Sequence, residues 1–311
     1  MFKKLSPWIY VLPAVIIVVL FRFIPIILSF IISFFEWDIT GIGKFIGFEN
    51  YVSLTLDKEF WKSMLNTFYL VIFVVPLTIC FSLFFAVFLN HIKLFKSFFR
   101  LIYFIPFVTS LVALSIVWKI IFNEQTGLAN AFLDIFGIIP LRWLNESKGI
   151  FTLLFENFGI NVPNSIGGPS LALFAIIIVT VWRSIGYNTI IYLAGLQSIP
   201  ESYYEAAEID GANKIKQFFK LTLPLISPTT FYVLMMTTIT TFQVFSQVYL
   251  MTGPPIGGPA GTTKVIVYYI FENGFGEAQN LSYASAIALV LFIIILGLTL
   301  IQKRMEKNVH Y

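Results

Sequence analysis

The chain has 311 residues, of which 58% are hydrophobic and only 12% charged, with a net charge of +4 and a mean hydropathy of +0.86. A water-soluble domain carries roughly 25% charged residues, so a soluble globular protein is excluded. A nucleic-acid surface is excluded too, because it gathers its basic residues on one polar face and here they are scattered through short linkers.

The first apolar segment, residues 8–34, carries Pro13 and Pro25, which a membrane helix tolerates because neighbours re-satisfy the freed carbonyls. It lacks a small-residue cleavage site and outruns the h-region of a signal peptide, so it is expected to be a retained first span. Arg22 lies near its middle, at a cost of about 2.5–3.5 kcal/mol on insertion scales. A pore or subunit-interface role and a structural ion pair are both open for it. Residues 35–65 read as a mixed loop with aromatics at its edges.

Span two is predicted at residues 66–89 and contains the single cysteine, Cys80, expected to be a small buried hydrophobe. With one cysteine and two isolated histidines, His91 and His310, neither an intrachain disulfide nor a metal-ligand spacing is available. Span three is predicted at 101–122, with Pro106 inside and Lys119 near enough to the end to snorkel. Residues 123–170 form the longest interruption; their apolar pieces are shorter than the 17–25 residues a span requires and are expected to be short surface helices. Span four, 171–194, carries Arg183, Tyr187 and Asn188; span five, 224–251, carries Gln243 and Gln247; span six covers 281–301.

Six spans put both termini on one side. The termini and the two linkers on that side hold eleven basic residues: Lys3, Lys4, Lys93, Lys96, Arg100, Lys214, Lys216, Lys220, Lys303, Arg304 and Lys307. The three longer loops hold six: Lys44, Lys58, Lys62, Arg142, Lys148 and Lys264. Positive residues concentrate in short cytoplasmic loops, so the termini and residues 198–224 are expected in the cytoplasm.

That last linker, SIPESYYEAAEIDGANKIKQFFKLTLP, is polar yet helix-forming. Ser202 and Glu205 have capping-box spacing, with Pro200 just upstream. Gly211 suits a left-handed helix end. Asn213 suits the cap of a second helix over 214–221, with Ile215, Phe218 and Phe219 as its apolar stripe and Leu223-Pro224 as its stop. The predicted product is a rigid elbow at 201–221. Ala206, Ala207 and Gly211 allow another backbone to approach closely, and Glu205 offers a carboxylate to a basic partner. A hairpin lying on the lipid is the competing reading, and Glu201, Glu205, Glu208 and Asp210 suit an anionic surface badly.

YEAAEIDGANKIKQFFKLTLPLISP closely resembles the EAA motif of the membrane-spanning subunits of binding-protein-dependent ABC importers. Its wider setting, WRSIGYNTIIYLAGLQSIPESYYEAAEIDGA, resembles the sugar-importing branch that includes the maltose and glycerol-3-phosphate permeases. The likeness extends to SFFEWD at 33–38, GLANAFL at 127–133, MTGPPIGGPAGTT at 251–263 and YASAIALVLFIIILGLTLIQKRM at 283–305. Residues 151–170 stand as an addition to the family's common external loop.

The resemblance implies an all-α integral membrane protein of a bacterial or archaeal inner membrane. Its six transmembrane helices would form a type I importer transmembrane domain over 1–311, with cytoplasmic coupling helices at 201–221. Glu205, Ala206, Ala207, Asp210, Gly211 and Pro224 take the motif's coupling positions. It also implies a second homologous permease, two copies of a cytoplasmic ABC ATPase that bind ATP and magnesium, an external solute-binding protein and a sugar.

No nucleophile–base pair, metal cluster or phosphate-binding loop is present in the sequence, so the chain is expected to bind no cofactor and catalyse nothing itself. Tyr187, Asn188, Gln243 and Gln247 are the residues proposed to line a substrate path. Polar groups at that depth also join helices, and both readings stand. The functional alternatives are a permease for a non-sugar solute and a secondary transporter.

Overall fold

The computed structural model describes residues 2–38, 41–92, 96–156, 159, 166–253 and 256–306. Lys93, Lys307, His310 and the turn-rich residues 160–165 lie outside them. In chain order, α1 (Phe2–Val18) passes through a π-helical turn (Val19–Phe23) into α2 (Ile24–Ile32), followed by β1 (Phe35–Asp38), β2 (Gly41–Phe45), α3 (Glu49–Leu56) and α4 (Lys58–His91). Next come α5 (Lys96–Val108), α6 (Leu111–Ile121), α7 (Leu128–Asp134), α8 (Ile150–Glu156) and α9 (Leu171–Gln197). The remainder is α10 (Glu201–Ile209), α11 (Lys214–Gln217), a second π-helical turn (Phe218–Thr222), α12 (Leu223–Leu225), α13 (Ser227–Phe242), α14 (Ser246–Met251), α15 (Ile266–Phe275) and α16 (Leu281–Met305).

Among the described residues, four helices are long and apolar enough to cross a membrane: Tyr10–Ile32, Lys58–Asn90, Leu171–Gln197 and Leu281–Arg304. Two bent pairs bring the number to six if each is one span. Leu101–Val108 and Leu111–Ile121 meet at 104°, and Lys214–Leu225 and Ser227–Phe242 at 64°. The first bend falls at Thr109–Ser110, where Ser110 leaves the helical region at ψ 126, and not at Pro106, which stays inside α5.

The chain divides into two compact units, residues 1–61 with 269–294 and residues 62–268 with 295–311. In the first, the expected mixed loop is ordered secondary structure. β1 and β2 pair antiparallel, Trp37 opposite Ile42 and Phe35 opposite Phe45. Ser33 fixes the start of this segment: Tyr51 shares a 2.6 Å hydrogen bond with its hydroxyl, and Asn50 Nδ2 donates to its carbonyl at 2.9 Å. Phe34 packs its ring against Phe30, Phe48 and Tyr51. Asp57 Oδ1 then accepts from the amides of Glu59 and Phe60 at 2.9 and 3.3 Å, capping α4 by satisfying two of the donors every helix start leaves open. Arg22 falls in the first π-helical turn and is exposed.

The second unit is arranged around α9. Its apolar residues face all sides, which suits a helix enclosed by others, and 61% of its most apolar window is buried. Ser170 caps its start, accepting from the Leu173 amide at 3.0 Å. α5, α13 and α14 pack on it. Ala86, Leu89, Tyr192, Leu193, Leu196, Ile226 and Val233 form one core towards its C-terminal end; Leu114, Phe122, Ala175, Val179 and Met251 form another towards its N-terminal end. Lipid tails are as apolar as leucine, so between membrane helices close fit replaces hydrophobic burial as the source of stability. Gly186 supplies that fit, since a Cβ there would stand 1.8 Å from the carbonyl oxygen of Tyr103.

One expectation is corrected here. Cys80 is exposed, not buried; an apolar thiol on the flank of a span this hydrophobic has no need of a protein core around it.

Candidate coupling site

The linker 198–225 folds as an elbow within the second unit. α10 runs from Glu201 to Ile209 with Pro200 as its N-cap, held at φ −60° and ψ 136°. Pro200 brings no side-chain acceptor, and Ser202 lies inside the first turn, so the capping box expected from Ser202 and Glu205 does not form. Proline's fixed φ starts the helix two residues earlier than that box required.

The corner follows the expected chemistry. Gly211 adopts φ +75°, its amide bonding the Glu208 carbonyl at 3.0 Å while the Ala212 amide reaches back to Ala207 at 2.9 Å. A left-handed residue closed by such backward bonds is a common glycine helix end. Asn213 caps α11 by accepting from the Lys216 amide at 2.8 Å. Lys214 Nζ pairs with Glu208 across the corner, and Gln217 Nε2 donates to the Ala212 carbonyl at 3.1 Å. The hydrogen bond and positive charge of Lys214 hold the Glu208 carboxyl below its usual range. Both side chains are exposed, so the pair orients the corner more than it stabilises it.

The second arm differs from its expected form. After α11 the backbone passes through the π-helical turn Phe218–Thr222, and Pro224 lies inside the helix instead of ending it. The direction changes at Ile226, where φ −91° and ψ 6° interrupt the helix. A wider turn just ahead of a proline is one way a helix accommodates the missing N–H. Tyr204 and Thr222 share a 3.0 Å hydroxyl hydrogen bond that ties the two arms.

The structure therefore brings Glu205, Ala206, Ala207, Asp210 and Gly211 onto one corner, with Ala206, Asp210 and Gly211 exposed and Ala207 half-buried. Pro224 stands apart, half-buried on the second arm. Between the arms lies a cleft of about 500 Å³ whose lining includes Asn90, Glu201, Glu205, Glu208 and Phe219. The sequence reading missed Ile209, whose side chain is 87% exposed at the tip. An isoleucine at a helical period looks like core until the elbow is built.

The four proposed path residues separate into two kinds. Tyr187 is partly open and stacks on Phe107 with ring centroids 4.6 Å apart; Gln243 is exposed at the end of α13. Asn188 and Gln247 are buried, and Asn188 Nδ2 donates to the Ser184 carbonyl one turn earlier at 2.9 Å.

The comparisons with known proteins agree over most of the chain. The family model for binding-protein-dependent transport system inner membrane components matches residues 52–311. The lactose transport system permease protein LacF of Rhizobium radiobacter is 35% identical, the match covering 97% of this chain and 94% of that protein. The arabinooligosaccharides transport system permease protein AraP of Bacillus subtilis (strain 168) is 33% identical across 98% of this chain and 89% of its own. A chain in the crystal structure of a bacterial alginate ABC transporter, in complex with an alginate pentasaccharide-bound periplasmic protein, superposes with a TM-score of 0.80. That chain is 22% identical, with 99% of this chain and 97% of that one covered.

Proposed function

The chain belongs to the binding-protein-dependent transport system inner membrane components, and we propose that it is one of two permease subunits of an ATP-driven sugar importer. The observation that carries this is the end-to-end similarity to carbohydrate permeases together with an elbow whose exposed corner is small and acidic. Six spans, counting each bent pair once, lie in a bacterial or archaeal inner membrane with both termini and the elbow in the cytoplasm; the density of basic residues in the short linkers supports this.

Two copies of a cytoplasmic ATPase take up ATP and magnesium, and one of them receives the 201–221 elbow. Ala206, Ala207 and Gly211 set the approach, Glu205 meets a basic residue, and Asp210 closes the corner. When the ATPases close on ATP, the push passes along the second arm, through Pro224 and the bend at Ile226, into α13. The path shared with the second permease then turns from one side of the membrane to the other beneath an external binding protein. Such a switch is a shift between two packings, biased by nucleotide and by the loaded binding protein. Tyr187, Asn188, Gln243 and Gln247 belong to the walls of that path. Tyr187 and Gln243 meet the solute, while the buried pair Asn188 and Gln247 hold the wall in shape.

The test is copurification of the chain with its second permease and ATPase, followed by ATP hydrolysis in proteoliposomes with the binding protein and a panel of sugars. Hydrolysis that rises with binding protein and one class of sugar, accompanied by uptake, is the expected result. Full-rate uptake by the permease pair with no ATPase attached would overturn the reading.

A further inference from the structure

Arg183 sits at the centre of the 27-residue helix α9. Its guanidinium carbon is 5.5 Å from the centroid of Phe107, and its Nε is buried without a hydrogen-bond partner. The sequence contains no Asp or Glu in residues 1–35, 60–123, 157–200, 211–271 or 278–305, ranges that hold the apolar body of every span. At the depth of Arg183 this chain therefore has no carboxylate to offer. A charge at mid-span turns to the protein interior or a water-filled path, and an aromatic face restores only part of the hydration it has lost. The counter-charge has to arrive from outside the chain.

The neighbours of Arg183 indicate what arrives. Phe107 also stacks on Tyr187 with an interplanar angle of 18°. Tyr187 is itself only half-buried. A permanent ion pair between two subunits is enclosed by close packing. Here the cation lies over the half-buried ring of Phe107, against which the half-buried Tyr187 stacks, and such partly open aromatic faces suit the apolar face of a sugar ring in transit. A guanidinium presents a planar fork that matches a carboxylate.

Resting on the permease reading above, we propose that Arg183, Phe107 and Tyr187 form an anion-recognising station in the translocation path, and that the solute carried is an acidic sugar bearing a carboxylate, as a uronate does. Arg183 pairs with the carboxylate and Tyr187 with the ring. A single cation on an aromatic shelf attracts the solute yet lets it leave, as transport requires.

The experiment uses the assembled transporter in proteoliposomes with its own binding protein, comparing short galacturonate and mannuronate oligomers with neutral galactose and mannose oligomers of equal length. ATP-driven uptake of a charged oligomer by the wild type is expected, reduced at least tenfold by Arg183→Gln and less severely by Arg183→Lys, which keeps the charge but not the planar fork. The intact complex should survive both changes, and Phe107→Leu should weaken uptake of the charged oligomer without abolishing it. Wild-type uptake confined to the neutral oligomers, or a Gln variant that carries the charged ones at the wild-type rate, overturns the proposal. A complex that dissociates in the Gln variant and holds in the Lys variant assigns the counter-charge to the second permease, and overturns it as well. No ATP-driven uptake of any oligomer by an intact complex removes the permease reading itself, and this inference with it.

Discussion

The Tyr269 hydroxyl donates a 2.5 Å hydrogen bond to Asp57 Oδ2 across 212 residues of sequence. Tyr283 donates to the same oxygen at 2.6 Å, while Asp57 Oδ1 caps α4. One carboxylate thus joins a helix start to two hydroxyls contributed by α15 and α16 within the first unit.

This latch has a defined pH dependence. Burial opposes the Asp57 charge, but the hydrogen bonds from Tyr269, Tyr283 and the Phe60 and Glu59 amides outweigh it and hold the carboxyl below its ordinary value. A depressed carboxyl contributes stability that is present above the unfolded value, about 3.9, and is lost as pH falls through the folded one. Burial and then the Asp57 hydrogen bond push the Tyr269 hydroxyl up, so its share is complete below about pH 10 and is lost only at higher pH. The melting temperature of the purified protein should therefore be flat from pH 5 to pH 9 and fall below about pH 4. Asp57→Asn should lower the plateau by about 1–2 kcal/mol, allowing for partial exposure, and flatten the acid limb. An acid limb equally steep in the Asn variant would assign it to other carboxylates.

Close approach between α5 and α9 gives a second prediction. A Cβ on Gly186 would stand 1.8 Å from a backbone oxygen of Tyr103, which no rotamer change relieves. Gly186→Ala should cost about 1–3 kcal/mol as an overpacked core does, read as a drop in melting temperature. Gly297→Ala, with nothing within 4 Å of the added carbon, should be close to neutral. Equal effects at the two sites would count against fit as the source of stability in this helix pair.

What the sequence made legible was local. Asn213 and Gly211 act on amides and carbonyls within a few residues, so their roles follow from spacing alone. The Ser202–Glu205 box is also a local pattern, but it competes with Pro200 for the same helix start and the fixed φ wins. Pro224 reads as a stop, yet a π-helical turn absorbs it, a choice made by packing around Ile226 and Thr222, both buried. The β1–β2 hairpin hides in a short aromatic-rich segment without clean alternation. The Asp57 latch and the Gly186–Tyr103 contact join residues far apart in the chain, and no window of sequence contains them.

Gly211 separates backbone conformation from contact. Its φ of +75° strains an ordinary side chain, while an added Cβ meets nothing within 4 Å. Gly211→Ala should cost about 1–2 kcal/mol through conformation alone. Gly211→Asn should cost less, because asparagine visits this region, yet it still adds bulk to the corner. If the corner fits against an ATPase, the Asn variant will keep its melting temperature and lose coupling, seen as binding-protein-stimulated ATP hydrolysis that no longer drives uptake. Wild-type coupling in the Asn variant would remove Gly211 from the contact.

Ile209 carries the sharpest expectation for the elbow. It stands 87% exposed beside the acidic and small residues of the corner, on the polar linker between two apolar spans. An isolated exposed isoleucine is ordinary on any surface, but at the tip of a projecting corner it is placed to fill a pocket, as the apolar centre of an interface does. Burying it there, with Ala206 and Gly211 allowing close approach, would contribute about 1.5–3 kcal/mol to the association. Ile209→Asp should therefore leave expression and melting temperature unchanged while reducing copurification of the ATPase at least tenfold, a loss of about 1.4 kcal/mol or more. Ile209→Leu should retain the ATPase. Full copurification with the Asp variant would mean that the elbow docks through another face, with Ile209 facing the lipid.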